Sequence, residues 1–150
     1  MMTNIDNLFE SPDEWLNTLP SYQKKLVANL IETNGDLDTA AIKYFDLNTP
    51  NTAPFGAGEK KNIFLDRVKS EFYGYMCGHE KYVEQQKNLF SDLKAGRTYI
   101  VSGITTAISP YIGASAVYLT PVVVMLLMGV CSIGRNAWCE VQREKNNLKI

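Results

Sequence analysis

At 150 residues, with fifteen Lys and Arg against sixteen Asp and Glu, the chain can form one domain, or a small domain plus a membrane segment. The near neutrality hides an uneven split. Up to Asp46 eight acidic residues stand against three lysines, whereas from Arg135 onward four basic residues outnumber two acidic ones. Neither part carries the dense basic stripe that neutralises phosphate, which argues against a nucleic-acid partner.

Met1 to Glu10 reads as a loose arm bearing Leu8 and Phe9. It holds acidic residues and no apolar h-region, so no secretory leader is expected, and the front of the chain is expected in the cytoplasm. Ser11-Pro12-Asp13-Glu14 predicts a short helix, with Ser as cap, Pro in the first position and acids at the positive dipole end. That helix carries Trp15, Leu16 and Leu19 inward and stops before Pro20. A second helix is expected from about Ser21 to Thr33, where Tyr22, Leu26, Val27, Leu30 and Ile31 follow helical spacing. Asn34-Gly35 supplies its left-handed stop.

Asp36 can cap a third helix, Leu37 to Phe45, that buries Leu37, Ala40, Ala41, Tyr44 and Phe45. The run Leu30 to Phe45 has the outline of a helix-turn-helix and also resembles a ubiquitin-associated-type helical pair. A DNA-reading helix needs basic residues, and Lys43 stands alone with Asp36 and Asp38 nearby. A small packed unit able to dock a protein partner is the better account. Asp46 to Gly58 is a loop with Phe55 tucked inward, and its Gly56-Ala57-Gly58-Glu59-Lys60-Lys61 end lacks the Gly-Lys-Ser/Thr of a phosphate loop.

From Glu59 to about Lys94 the pattern reads as one long amphipathic helix, with an apolar stripe running from Phe64 to Leu93. Gly74 and Gly78 weaken its middle by up to ~1 kcal/mol each relative to Ala, so a bend is expected there. His79, the single histidine, has no second ligand or carboxylate beside it, and residues two apart on a helix, such as Cys77 and His79, point to different faces. Cys77, Cys131 and Cys139 show no metal-ligand spacing, and Cys131 and Cys139 fall about two turns apart, too far to bridge each other. They read as small apolar residues carrying a thiol. No catalytic, cofactor or metal site is expected.

Between Arg97 and Arg135 every residue is uncharged, from Thr98 to Gly134. A bilayer-spanning helix needs roughly 20 mostly apolar residues, so this stretch is long enough to cross about twice. Pro110 and Pro121, each preceded by Ser or Thr, divide it as hairpin breaks, with the turn expected at Tyr118–Thr120. The first arm would run from Thr98 to Tyr118 and the second from Pro121 to Cys139. Each would be ~30 Å long, matching the hydrocarbon core. Arg97, Tyr99, Arg135 and Trp138 are the expected interface anchors, and the flanking Lys and Arg place both termini in the cytoplasm.

The first arm is rich in small and hydroxylated residues, and Ser102, Gly103, Thr106, Ser109 and Gly113 are the candidate hairpin or pore face. The expected architecture is therefore all-α. A short-helix unit and loop (1–58) and a long amphipathic helix (59–97) lead to a C-terminal transmembrane hairpin (98–139) and a basic tail (140–150). The functional expectation is a small, homo-oligomeric effector that permeabilises the bacterial inner membrane, on the general plan of toxins and anti-phage defence effectors. The alternative is a membrane-anchored adaptor whose N-terminal helices recruit a protein. A third arrangement keeps the apolar pair as the buried central hairpin of a folded helical protein, exposed on activation, which resembles pore-forming colicin-type toxins in this stretch.

Overall fold

The computed structural model describes residues 12–47, 61–91 and 96–148. The N-terminal arm with Leu8, Phe9 and Ser11, the loop residues 48–60 with Phe55, and Leu93, Lys94 and Lys149 lie outside them. Among the described residues all regular structure is helical. A 3-10 helix (Pro12–Thr18) is followed by α1 (Ser21–Asn34), α2 (Leu37–Asp46), α3 (Lys61–Cys77), α4 (Val83–Phe90), α5 (Arg97–Ile112), α6 (Ala116–Ile133) and α7 (Arg135–Leu148).

The front of the molecule follows its local signals. Gly35 adopts φ 83°, and its N–H closes α1 on the Ile31 carbonyl at 3.0 Å. Asp36 caps α2 by accepting the Thr39 N–H at 2.8 Å and the Thr39 hydroxyl at 2.7 Å. These two bonds to the ionised form hold the Asp36 carboxyl below its ordinary pKa.

Two boundaries and one covalent link differ from the sequence expectation. The expected long helix is two, α3 and α4, parted at Gly78, whose φ of 87° takes the chain out of the helix. The hairpin reverses at Gly113–Ser115 rather than at Tyr118–Thr120. Gly113, at φ 85°, ends α5 with its N–H on the Ser109 carbonyl at 2.9 Å, and the Ser115 hydroxyl caps α6 by accepting the Tyr118 N–H at 3.2 Å. Pro110 and Pro121 are therefore inside helices and break neither. Finally, Cys77 and Cys139 form a disulfide between α3 and α7, with Cα atoms 5.8 Å apart, so they are not the unpaired thiols expected.

Helix α6 is the centre of the fold. Leu119, the whole run from Pro121 to Met128, and Val130 are buried. The 3-10 helix, α1, α2, α5 and α7 all pack on it. Each such apolar side chain contributes roughly 1.5–3 kcal/mol relative to exposure, so α6 is the largest single source of burial. Trp15 seals one side and donates its indole N–H to Cys131 Sγ at 2.9 Å. At the other end the Tyr44 hydroxyl donates to the Tyr118 carbonyl at 2.9 Å, and Phe45 stacks on Tyr118 with ring centres 6.0 Å apart. Among the described helices, α6 alone is long and apolar enough to cross a membrane, a property shared by buried core helices.

Candidate functional site

Helix α5 has two unlike faces. Ile100, Ile104, Ile108 and Ile112 recur every four residues and are buried, together with Val101 and Thr105. The Thr105 hydroxyl is spent on its own helix, donating to the Val101 carbonyl at 2.9 Å and lying 3.1 Å from that of Ser102. On the opposite face Ser102 and Thr106 are exposed. With Gly103, Ala107 and Pro110 they floor a groove of about 590 Å³ between α5 and the α3–α4 elbow.

The groove walls are Tyr75 from α3, Gln85, Asn88 and Leu89 from α4, and Tyr99 and Tyr111 from α5 itself. No charged side chain lines it among the described residues. Gly103 sets its depth: a Cβ there would stand 2.9 Å from Leu89 Cδ2, so any side chain at this position has to displace the end of Leu89. Pro110 provides no N–H for the Thr106 carbonyl one turn back, which leaves an acceptor on the groove floor. Burial pushes the Tyr75 phenol up to about 12, with Tyr99 adding to the shift.

A charged knot closes the α3–α4 elbow against the end of α5. Lys81 Nζ is 2.7 Å from Glu71 Oε1 and sits 3.8 Å from the centre of the Tyr111 ring. The Tyr82 hydroxyl donates to the same Glu71 oxygen at 2.6 Å. Burial alone would raise the Glu71 pKa, but the bonds from Lys81 and Tyr82, with the nearby positive charge, outweigh it and hold the carboxyl below its usual range. His79 belongs to this elbow: its Nδ1 accepts the Lys81 N–H at 3.0 Å.

A second cleft, of about 410 Å³, opens beside the disulfide. It is lined by Cys77, Cys139, Arg135, Asn136 and Arg143 among others. The Arg143 guanidinium pairs with Glu140 one turn earlier, and the Arg135 guanidinium lies 5.3 Å from the Phe90 ring centre.

The candidate residues divide into three groups. Ser102, Gly103 and Thr106 of the expected hairpin or pore face line the groove, together with Pro110, expected as a hairpin break, and Tyr99, expected as an interface anchor. They do not form the α5–α6 interface, because the isoleucine stripe occupies the buried side of α5. Ser109 and Gly113 instead build the reversal: the Ser109 hydroxyl donates to the Ala114 carbonyl, and Gly113 is the helix stop. The expected anchors scatter. Arg97 lies over the Trp15 ring at 5.7 Å, Arg135 flanks the second cleft, and Trp138 is buried edge-on against Phe72 at 5.4 Å.

Tyr75, Gln85 and Asn88 were not readable as groove residues, because they enter it only through the bend at Gly78. The neighbouring Gly74 and Gly78 were the available signal for that bend. Among the described residues no group of His, Cys, Asp or Glu is placed to hold a metal ion. Comparison with family models, with curated proteins and with solved structures finds no match to this chain.

Proposed function

We propose that this chain is a membrane-directed effector carried in a folded form, with its bilayer-competent helix stored inside a jacket of its own helices. The observation behind the reading is α6: eighteen uncharged residues, about 27 Å at 1.5 Å per residue, with five neighbouring elements packed on it and its middle, from Pro121 to Met128, buried. Lipid is as apolar as a protein interior, so α6 exchanges one for the other at little cost. The barrier to insertion is the burial lost by the jacket. In the inserted form α5 crosses with α6, its Ser102 and Thr106 face turned to a water path shared by several copies.

The reading places the assembly in the inner membrane with both termini on the cytoplasmic side, as the basic flanks require. Vesicles of phosphatidylethanolamine and phosphatidylglycerol with an entrapped dye test the proposal. Added protein should release the dye under a condition that opens the jacket, and its induction in bacteria should collapse the membrane potential. Full dye retention under acid, reducing and native conditions, with normal growth on induction, would overturn it.

The adaptor reading draws on one observation, the uncharged groove with Tyr99 and Tyr111 half exposed at its mouth. Replacing Ser102 and Thr106 with Leu separates the two. A pore loses conductance, while a tether keeps its membrane attachment. Ser109 and Gly113 are left alone in this test because they hold the helix reversal.

A further inference from the structure

We propose that the Cys77–Cys139 disulfide is a redox clasp that keeps α7 closed over the flank of α6, and that a cellular thiol opens it. The membrane consequence rests on the function proposed above; the clasp itself does not.

Helix α7 is held by very little else. Of its described side chains only Trp138 is buried. That indole lies against Phe72 and Tyr73 of α3 and, beside Met125, Leu126 and Gly129 of α6, lines a small cleft. The remaining described residues of α7 are exposed or half exposed. A single residue, Gly134, joins α7 to α6, with φ 91°, a value that glycine adopts freely. One covalent bond, one indole, the Arg135 contact with the Phe90 ring and a glycine joint thus hold a helix that covers part of the apolar centre.

The bond is also placed where a reductant reaches it. Both cysteines are half exposed and line the cleft that contains Arg135 and Arg143. With Arg143 paired to Glu140 in the same cleft, the Arg135 guanidinium favours approach of a thiolate, such as a monothiol of the glutathione class, and stabilises the cysteine thiolate that leaves. The exchange balances in two steps. A first thiolate attacks Cys139 Sγ, the disulfide breaks, and Cys77 leaves as a thiolate that takes up a proton. A second thiolate then attacks the added sulfur, releasing Cys139 and the oxidised reductant, so two thiols supply two electrons. A reducing cytosol drives this direction, whereas an oxidising compartment keeps the clasp shut.

The experiment compares amide exchange of the full chain oxidised, after excess glutathione, and as Cys139→Ser, with Cys131→Ser as the control cysteine. The expected result is exchange at least about tenfold faster across 135–148 in the reduced and Cys139→Ser forms, with 21–46 still protected and Cys131→Ser unchanged. Unaltered exchange across 135–148 would overturn the proposal, as would protection across 21–46 falling as far as that across 135–148, which marks a simple staple. Binding to phosphatidylglycerol vesicles is read in parallel. An opened α7 without vesicle binding keeps the clasp and removes the membrane reading, whereas equal vesicle leakage in both redox states keeps the membrane reading and removes the clasp as its trigger.

Discussion

The two arms of the apolar pair, α5 and α6, are neighbours in an uncharged stretch yet solve different problems. Helix α5 places isoleucine every fourth residue and leaves Ser102 and Thr106 in water, so it needs cover on one side only. Helix α6 repeats Val, Leu and Met without a polar side, and the fold buries its middle from Pro121 to Met128, leaving Val117 and Ile133 exposed at its ends. Lack of charge alone therefore does not say how a helix is solvated. The angular distribution of small hydroxyls does, since it separates an arm with a wet face from one that tolerates no water at all.

A charge placed on each arm gives the sharpest test. Leu127→Asp, at a fully buried position of α6, should cost more than about 4 kcal/mol and leave little folded protein. Thr106→Asp on the exposed face of α5 should change stability by no more than about 0.5 kcal/mol. Equal losses in urea denaturation would erase the distinction between the arms. Next in size is the covalent tie beyond the end of α6. Cys77→Ser with Cys139→Ser frees a loop spanning a sequence separation of 62 residues and should lower unfolding stability by about 2–4 kcal/mol in the same assay.

Two smaller effects probe α5. Gly103→Val drives a branched side chain into Leu89 and should cost about 1–3 kcal/mol, with part recovered by Leu89→Ala. The pH dependence is gentler. The Glu71 carboxyl is held below its ordinary value of 4.5, so its contribution is present above that pH and is lost as pH falls through the lowered folded value. Tyr75 runs the other way: raised from 10 to about 12, its contribution is complete below pH 10 and is lost as pH rises toward 12. Glu71→Gln should flatten the acid limb of a melting-temperature profile and leave the alkaline limb in place.

Much of the front half was legible because its signals are local. The Asn34-Gly35 stop and the Asp36 cap act within a turn of their own position, and the structure has them where their neighbours predict. The hairpin turn was misplaced because Thr120-Pro121 imitates a cap followed by a first-turn proline. Ser115 caps α6 earlier, and Pro121 then forfeits only the bond to the Val117 carbonyl. Trp138 at the end of an apolar run fits a bilayer interface and a core corner equally well, and only Phe72, far away in sequence, settles its place here. The Cys77–Cys139 pair was invisible for the same reason: helix spacing constrains cysteines on one helix and says nothing of two brought together by packing. The groove shared this fate, since half its wall arrives through the turn at Gly78.

The reversal at Gly113–Ser115 carries one more consequence. Three residues, stitched by the Ser109 hydroxyl on one side and the Ser115 cap on the other, are too few to let either arm travel alone. Pulling α6 from its berth drags α5 with it, and with α5 goes its buried isoleucine stripe. Partial withdrawal has no resting place along that route, so departure from this packing is expected to be all-or-nothing, with two rods leaving as a folded pair.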